Sequence, residues 1–488
     1  MSRNLVVFSD GTGNHGRVGH ETNVWKLYLA LDRTSKGSDS GSPVQLAFYD
    51  QGVGTEDWKP LRLAGGAVGW GLTRKVCALY VRLAMNYQPG DKIFLFGFSR
   101  GAYTVRLLSG LIGIFGVLDL KRVARPEKRV AIMMKALDDA RQPSDMEKLR
   151  EEIHQLICDE AGSCGHAKVD IEVVGVFDTV DAVGVPSDSL RALLDWLWNY
   201  RMPDQRPHPS VKAGYHALSI DDERTTFHPV LWNEGSLPKE QIIEQVWFAG
   251  VHANVGGGYP TAGLSAVALD WMMTRAERHG LKFLAGARLA VRAEADVGGR
   301  MYDSRSGLKS YYRYGPRLLA DQCRAERTKP RIHESVFQRI EESGGEYAPL
   351  WIPGDATVVS TEETAPLRDL AGDQAWLLRT EGQDALLKGR SLSGWPRRVN
   401  YEVLLFGTLI AFTSRLWGPW VGLPLYLEPL PVLRWLPEAV LFPLKPLLCD
   451  WLTFLVALVL LLLALLFKLV LFKLQRRAAS YAWSITRG

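Results

Sequence analysis

Gly97-Phe98-Ser99-Arg100-Gly101 sets a serine in a G-x-S-x-G pattern. The pattern alone arises by chance in many chains, and its flanks give it meaning. The apolar run Ile93-Phe94-Leu95-Phe96 leads straight in, and Ala102 to about Ile114 reads as a helix leading straight out. Strand, sharp turn and helix in that order make a nucleophile elbow, which presents a serine hydroxyl at the top of a sheet. Gly97 and Gly101 let strand and helix pass close together. The helix N-terminus then sets the Arg100 backbone N–H where an oxyanion would develop.

A serine needs a base to take its proton, and the base needs an acid to orient it. In α/β hydrolases the chain order is serine, acid, histidine. After Ser99, a β-branched run ends at Phe177-Asp178, and a second strand pattern, Val246 to Val251, ends at His252. Both stand at strand carboxyl ends, where a doubly wound sheet carries its site. Asp178 and His252 are the expected acid and base. Plainer readings are a turn residue for Asp178 and a structural role for His252. Asp181 is the nearest rival acid, and His15, His216 and His228 lack a strand-end position.

Gly11-Thr12-Gly13-Asn14-His15-Gly16 also matches the dinucleotide pattern G-x-G-x-x-G after a first strand. The acid expected about 20 residues on should end the second strand, yet Asp32 falls in a helical stretch. Asp10 would set a negative charge beside a pyrophosphate. Asp10 as a phosphotransfer nucleophile lacks a second carboxylate nearby. In a hydrolase this loop supplies the second oxyanion donor, from Gly11 or Thr12. Asp10 is expected to support it.

These groups need a frame. Strand and helix patterns alternate: Leu5–Phe8, then a helix from Asn23, Val44–Tyr49, a helix over about 72–86, Lys92–Phe96 and the elbow. Such alternation predicts an α/β fold, hydrolase-like, with a doubly wound and mainly parallel sheet. The expected catalytic domain is 1–280, with helical insertions near 120–165 and 186–215. The apolar and tryptophan-bearing stretch 189–200 reads as an amphipathic helix whose apolar face either meets a lipid interface or belongs to the core. Residues 281–400 read as an accessory region.

The chain has 488 residues and a formal net charge of +5. From Tyr401 onward stand 8 Lys/Arg and 4 Asp/Glu, which leaves 50 against 49 in the first 400 residues. The excess therefore lies in the most apolar part of the chain, which points to a membrane; no nucleic-acid partner is expected. Five cysteines without a C-x-x-C pair exclude a disulfide scaffold and a zinc-type spacing. Trp451 to Phe472 is 22 residues with one charge, Lys468. At about 1.5 Å per residue it spans a hydrocarbon core of roughly 30 Å. Residues 404–426 are a second candidate, weakened by Arg415 and Pro424. A membrane-anchoring region is thus expected over 401–475, with a basic tail at 476–488. Met1 to Asp10 shows no signal-peptide core. Basic flanks predict a hairpin with both ends, and so the catalytic domain, on the cytoplasmic side of a bacterial inner membrane.

Several segments occur in a telling order: Ser9-Asp10-Gly11-Thr12-Gly13-Asn14, Tyr49-Asp50-Gln51-Gly52-Val53-Gly54-Thr55, Gly97-Phe98-Ser99-Arg100-Gly101-Ala102-Tyr103, Phe177-Asp178-Thr179-Val180, Ala217-Leu218-Ser219-Ile220-Asp221-Asp222-Glu223-Arg224 and Gly250-Val251-His252-Ala253-Asn254-Val255-Gly256-Gly257-Gly258-Tyr259. Together they resemble the α/β-hydrolase domain of bacterial type VI secretion phospholipase effectors, over about residues 1–275. The resemblance implies a triad of Ser99, Asp178 and His252, the residues already reached from strand ends. Where the family usually has an aspartate two residues after the histidine, this chain has Asn254, which keeps a hydrogen bond but no charge. An effector role does not follow, since members include proteins that are not secreted toxins.

The expected reaction is hydrolysis of a lipid acyl ester through an acyl-enzyme, with no metal or cofactor required. An esterase or thioesterase acting on soluble substrates uses the same groups. A non-catalytic membrane scaffold on a hydrolase fold is the alternative of another class.

Overall fold

In the first strand Leu5 and Val7 point to one side, and Val6 and Phe8 to the other. In the elbow strand Ile93 and Leu95 oppose Phe94 and Phe96 in the same way. All eight are fully buried. A strand apolar on both faces requires cover on both, as in parallel sheets. The computed structural model describes residues 2–11, 19–34, 43–51, 66–139, 148–155, 169–180, 205–306, 309, 312–344, 346–363, 368–369, 397, 399–404, 408 and 451–485.

The described strands are β1 (Asn4–Ser9), β2 (Gln45–Asp50), β3 (Lys92–Phe98), β4 (Ile171–Phe177), β5 (Val211–Ser219), β6 (Ile242–Phe248), β7 (Arg331–His333), β8 (Thr357–Val359) and β9 (Arg368–Asp369). They form one sheet in the order β2-β1-β3-β4-β5-β6-β7-β8-β9. All neighbours pair in parallel except β8 and β9. The order reverses between β1 and β3, and an α/β sheet holds its site at such a switch point.

The helices used below are α1 (Asn23–Ala30), α2 (Gly66–Asn86), α3 (Arg100–Phe115), α4 (Pro126–Asp139), α5 (His252–Gly256), α6 (Gly263–Arg278) and α7 (Trp451–Ile485). One face of the sheet packs on α2 and α3 through Val76, Leu83, Val105 and Ile112, and α4 lies against α2 with Val130 and Met133 in the same core. The other packs on α1 and α6 through Val24, Leu27, Leu269, Trp271 and Met272. Helices on both faces give the doubly wound α/β arrangement.

Two sequence expectations need correction. The insertion expected near 186–215 overlaps Val211–Ser219, which is a central strand; its small residues and Lys212 interrupt the apolar run by which a strand buried on both faces is read. The helical insertion expected near 120–165 contains α4, whose Val130 and Met133 lie in the main core. The region 281–400 is expected as an accessory region, yet its β7, β8 and β9 extend the same sheet. The chain divides into one unit of Met1–Ser304 with Pro316–Leu377 and a second of Arg305–Gly315 with Leu378–Gly488. Strands of two or three residues are too short to show a period. The stretch 189–200 lies outside the described residues, as does all of 404–426 apart from 404 and 408.

In the second unit α7 runs 35 residues, past the expected end at Phe472. One seam is covered: Ala464, Leu471, Gln475 and Ala479 are buried. Along it Lys468 Nζ donates to the Arg305 carbonyl at 3.0 Å, and Arg397 donates to Gln475 Oε1. Leu458, Leu462, Leu463, Leu466, Leu469 and Phe472 remain exposed.

The elbow shows why its glycines are glycines. A Cβ on Gly97 would meet Ala102 Cα at 2.6 Å, and one on Gly101 would meet the Ser9 carbonyl oxygen at 2.1 Å. Helix α3 therefore enters against the end of β1 with no room for a methyl. Gly101→Ala should destabilise by about 1–3 kcal/mol, read as a lower urea midpoint at unchanged slope. A wild-type midpoint would mean that α3 can back away from β1.

Candidate active site

Strand register decides what meets at the carboxyl edge of the sheet. Phe98 pairs with Phe177, and Phe177 with Ala217, so Ser99 and Asp178 leave adjacent strands at the same height. The Ser99 N–H donates to the Phe177 carbonyl at 3.0 Å, and the Asp178 N–H to the Ala217 carbonyl at 2.7 Å. Immediately past the ladder both residues turn left-handed, Ser99 at φ 58° and Asp178 at φ 40°. Such conformations cost about 1–3 kcal/mol each and persist where the surroundings over-determine them.

His252 opens α5, four residues beyond the end of β6. Its Nε2 lies 2.8 Å from Ser99 Oγ, and its Nδ1 lies 2.6 Å from Asp178 Oδ2. With Nδ1 donating to Asp178, the neutral ring offers Nε2 as an acceptor to the serine hydroxyl. Phe98 lies against the imidazole with ring centres 4.7 Å apart, and Phe227 meets it edge-on at 5.1 Å. The His252 N–H donates to Asp222 Oδ2 at 3.2 Å. Arg224 holds that carboxylate with two bonds, Nε to Oδ1 at 3.0 Å and Nη2 to Oδ2 at 2.7 Å.

Asp178 is fully buried. Oδ1 accepts from the Ser219 N–H at 2.9 Å and from Arg317 Nη1 at 2.6 Å. Oδ2 accepts from Arg317 Nη2 at 2.8 Å and Ser219 Oγ at 3.2 Å, besides His252. Burial opposes its charge, but Arg317 and the bond from His252 outweigh burial and hold the carboxyl far below the usual carboxylate range. Burial also pushes the His252 imidazole below its ordinary value, against the pull of Asp178. The ring is thus neutral and the acid ionised at pH 7.

The remaining expected residues fall in different places. Arg100 follows Ser99 as the first residue of α3. The Gly11 N–H, expected as an oxyanion donor, already donates to Asp10 Oδ1 at 2.6 Å. This corrects the expectation for Gly11: a donor spent on a buried carboxylate is not presented to substrate. Thr12 lies outside the described residues. Asp10 also accepts from Thr22 Oγ1 at 2.6 Å and Tyr49 OH at 2.7 Å, and so braces the loop after β1. Burial pushes its carboxyl up despite these bonds. Asn254 accepts from the Val251 N–H at 3.3 Å and donates to the Arg300 carbonyl at 3.1 Å, which ties the start of α5 to a neighbouring loop. Gly97 and Gly101 act through close approach, as described above.

Sequence reasoning missed Ser219, Asp222, Arg224 and Arg317. The first three lie inside the quoted segment 217–224, without a role. Arg317 stands 139 residues from Asp178 in a stretch with no motif. His216, dismissed as lacking a strand end, is buried within β5 and its Nε2 accepts from the Thr179 N–H at 3.1 Å. Burial pushes it down to about 3, so it stays neutral and holds the turn after Asp178. Among the described residues, no three His, Cys, Asp or Glu side chains cluster as metal ligands.

Residues 3–275 match a family model described as the type VI secretion system phospholipase effector Tle1-like catalytic domain. The uncharacterized protein YEL023C of Saccharomyces cerevisiae is 25% identical over 241 residues, covering 46% of this chain and 32% of that protein. This chain therefore spans about a third of that relative's length. A crystal structure of an uncharacterized protein from Pseudomonas aeruginosa aligns over 70% of this chain and 53% of its own, at 19% identity and a TM-score of 0.36. The family match covers more than half of the sequence, and the chain belongs to the Tle1-like phospholipase effector family through its catalytic domain.

Proposed function

We propose that the protein is a serine hydrolase of acyl esters, a membrane-associated phospholipase or lipase that works through an acyl-enzyme. The observation that carries this reading is the hydrogen-bonded series from Ser99 Oγ through His252 to Asp178, at 2.8 and 2.6 Å. Ser99 attacks the ester carbonyl while its proton passes to His252 Nε2. The imidazolium returns that proton to the leaving alcohol. Water, activated by the same nitrogen, then releases the fatty acid. Asp178 keeps the histidine in the tautomer that accepts at Nε2. The Arg100 N–H, at the positive end of α3, stabilises the oxyanion.

A lipid substrate is supported by the family match and by α7. The span Leu458–Tyr481 is long and apolar enough to cross a membrane, and most of its side chains face outward. Lys473, Arg476 and Arg477 follow its most apolar part and favour the cytoplasmic side for that end. With 404–426 as a second span, the catalytic unit returns to the cytoplasmic face of the inner membrane.

Replacing Ser99 by Ala should lower kcat by roughly six orders of magnitude, judging from serine proteases, and abolish labelling by a fluorophosphonate. Full esterase activity in that variant would refute the assignment. A base whose pKa is lowered stays neutral to lower pH. The acid limb of kcat/KM should therefore have its midpoint below the ordinary histidine value of about 6.5; a midpoint at or above it would contradict the burial of His252. Leu462→Asp with Leu466→Asp should move the protein out of the membrane fraction, at about 2.5–3.5 kcal/mol per charge in a bilayer centre. Unchanged sedimentation with membranes would remove α7 as the anchor.

A further inference from the structure

Asp178 is paired with a buried guanidinium. Arg317 is fully buried and lies beyond the segment 3–275 that matches the family. It faces Asp178 with both terminal nitrogens, Nη1 to Oδ1 at 2.6 Å and Nη2 to Oδ2 at 2.8 Å. Nη1 also donates to the Ser219 carbonyl at 2.7 Å, and Nη2 donates to the Phe227 carbonyl. The fork is thereby fixed to the loops after β5. The forked pair sets the plane of the carboxylate, which leaves the outer side of Oδ2 to His252 Nδ1.

We propose that Arg317 is a positioning residue for the hydrolysis: it sets the orientation of Asp178 toward His252 and offsets the charge that His252 feels. The inference rests on the reading of Ser99, His252 and Asp178 as the reacting groups. The charged and titratable groups around the imidazole are Asp178 after β4, Asp222 and Arg224 after β5, and Arg317; His216 on β5 faces Asp178 and is neutral. Two carboxylates and two guanidiniums cancel. Without the Arg317 charge, one net negative charge remains beside a buried imidazole. Its proton is then held to higher pH, and less of the neutral base is available near neutrality.

The test uses the full chain and a short-chain ester, with circular dichroism as the check on folding. Arg317→Met should raise the midpoint of the acid limb of kcat/KM by about one pH unit or more, and lower kcat at least about tenfold with KM little changed. Arg317→Lys keeps the charge but cannot bridge both oxygens. It should leave the limb near the wild-type position and still lower kcat. A purely structural arginine would change the melting temperature and not the pH limb. Folded Arg317→Met with the wild-type limb overturns the proposal. If Arg317→Met does not fold, Arg317→Lys decides, and wild-type kcat in that variant overturns it. Wild-type protein that neither hydrolyses ester nor reacts with a fluorophosphonate would instead defeat the functional reading. Labelling at Ser99 with unaffected Arg317 variants would defeat this inference alone.

Discussion

A carboxylate sealed from water must be paired, and Asp178 is the buried charge around which the carboxyl edge of the sheet is organised. It accepts five hydrogen bonds, two from Ser219, two from Arg317 and one from His252. Those donors come from β5, from the stretch following residue 316, and from α5. Removing one partner of a buried pair typically costs about 3–5 kcal/mol, because the other charge is stranded. Strand register is part of the same constraint. Phe177 pairs with Ala217, which sets Ser219 at the height of the carboxylate. A slip of one residue would turn that side chain to the opposite face.

The serine is held by a constraint of shape. Helix α3 starts where a methyl group on Gly101 would strike the end of β1. That closeness brings the Ser99 turn, with its positive φ, up to the imidazole. The histidine is fixed from two sides by two acid–arginine pairs. Asp178 with Arg317 addresses the ring nitrogen, and Asp222 with Arg224 addresses the backbone N–H. Asp221 adds a third tie, accepting from the Gly250 N–H at 2.7 Å and Tyr347 OH at 3.0 Å. Burial pushes that carboxyl up to about 6. The loop carrying His252 is thus bonded at its start, at its histidine and, through Asn254, within α5.

The second unit has a different physical character. Along one seam of its helix Lys468 and Gln475 bond to Arg305 and Arg397 of the same unit, and many of its leucines are exposed. The excess positive charge of the chain and its densest leucine run occur together there. A helix of 35 residues is about 52 Å long, more than the roughly 30 Å of a hydrocarbon core. Its basic C-terminal turns therefore extend beyond the most apolar part.

How much was legible in the sequence depended on how local each feature is. The continuous apolar runs of β1 and β3, the two glycines around Ser99, and strand ends at Asp178 and near His252 are written in a few consecutive residues. So is the apolar run of α7. These determined the α/β class, the elbow and the three residues that meet. Tertiary structure alone decided the rest. β5 is hidden by small residues, and β7, β8 and β9 are too short to show a period. The Gly11 N–H was lost to Asp10 through a turn that spacing does not reveal. Arg317 carries no motif; its meaning comes from facing Asp178 across 139 residues of sequence. A buried charge and its partner need only be close in space, and nothing in a linear pattern records that closeness.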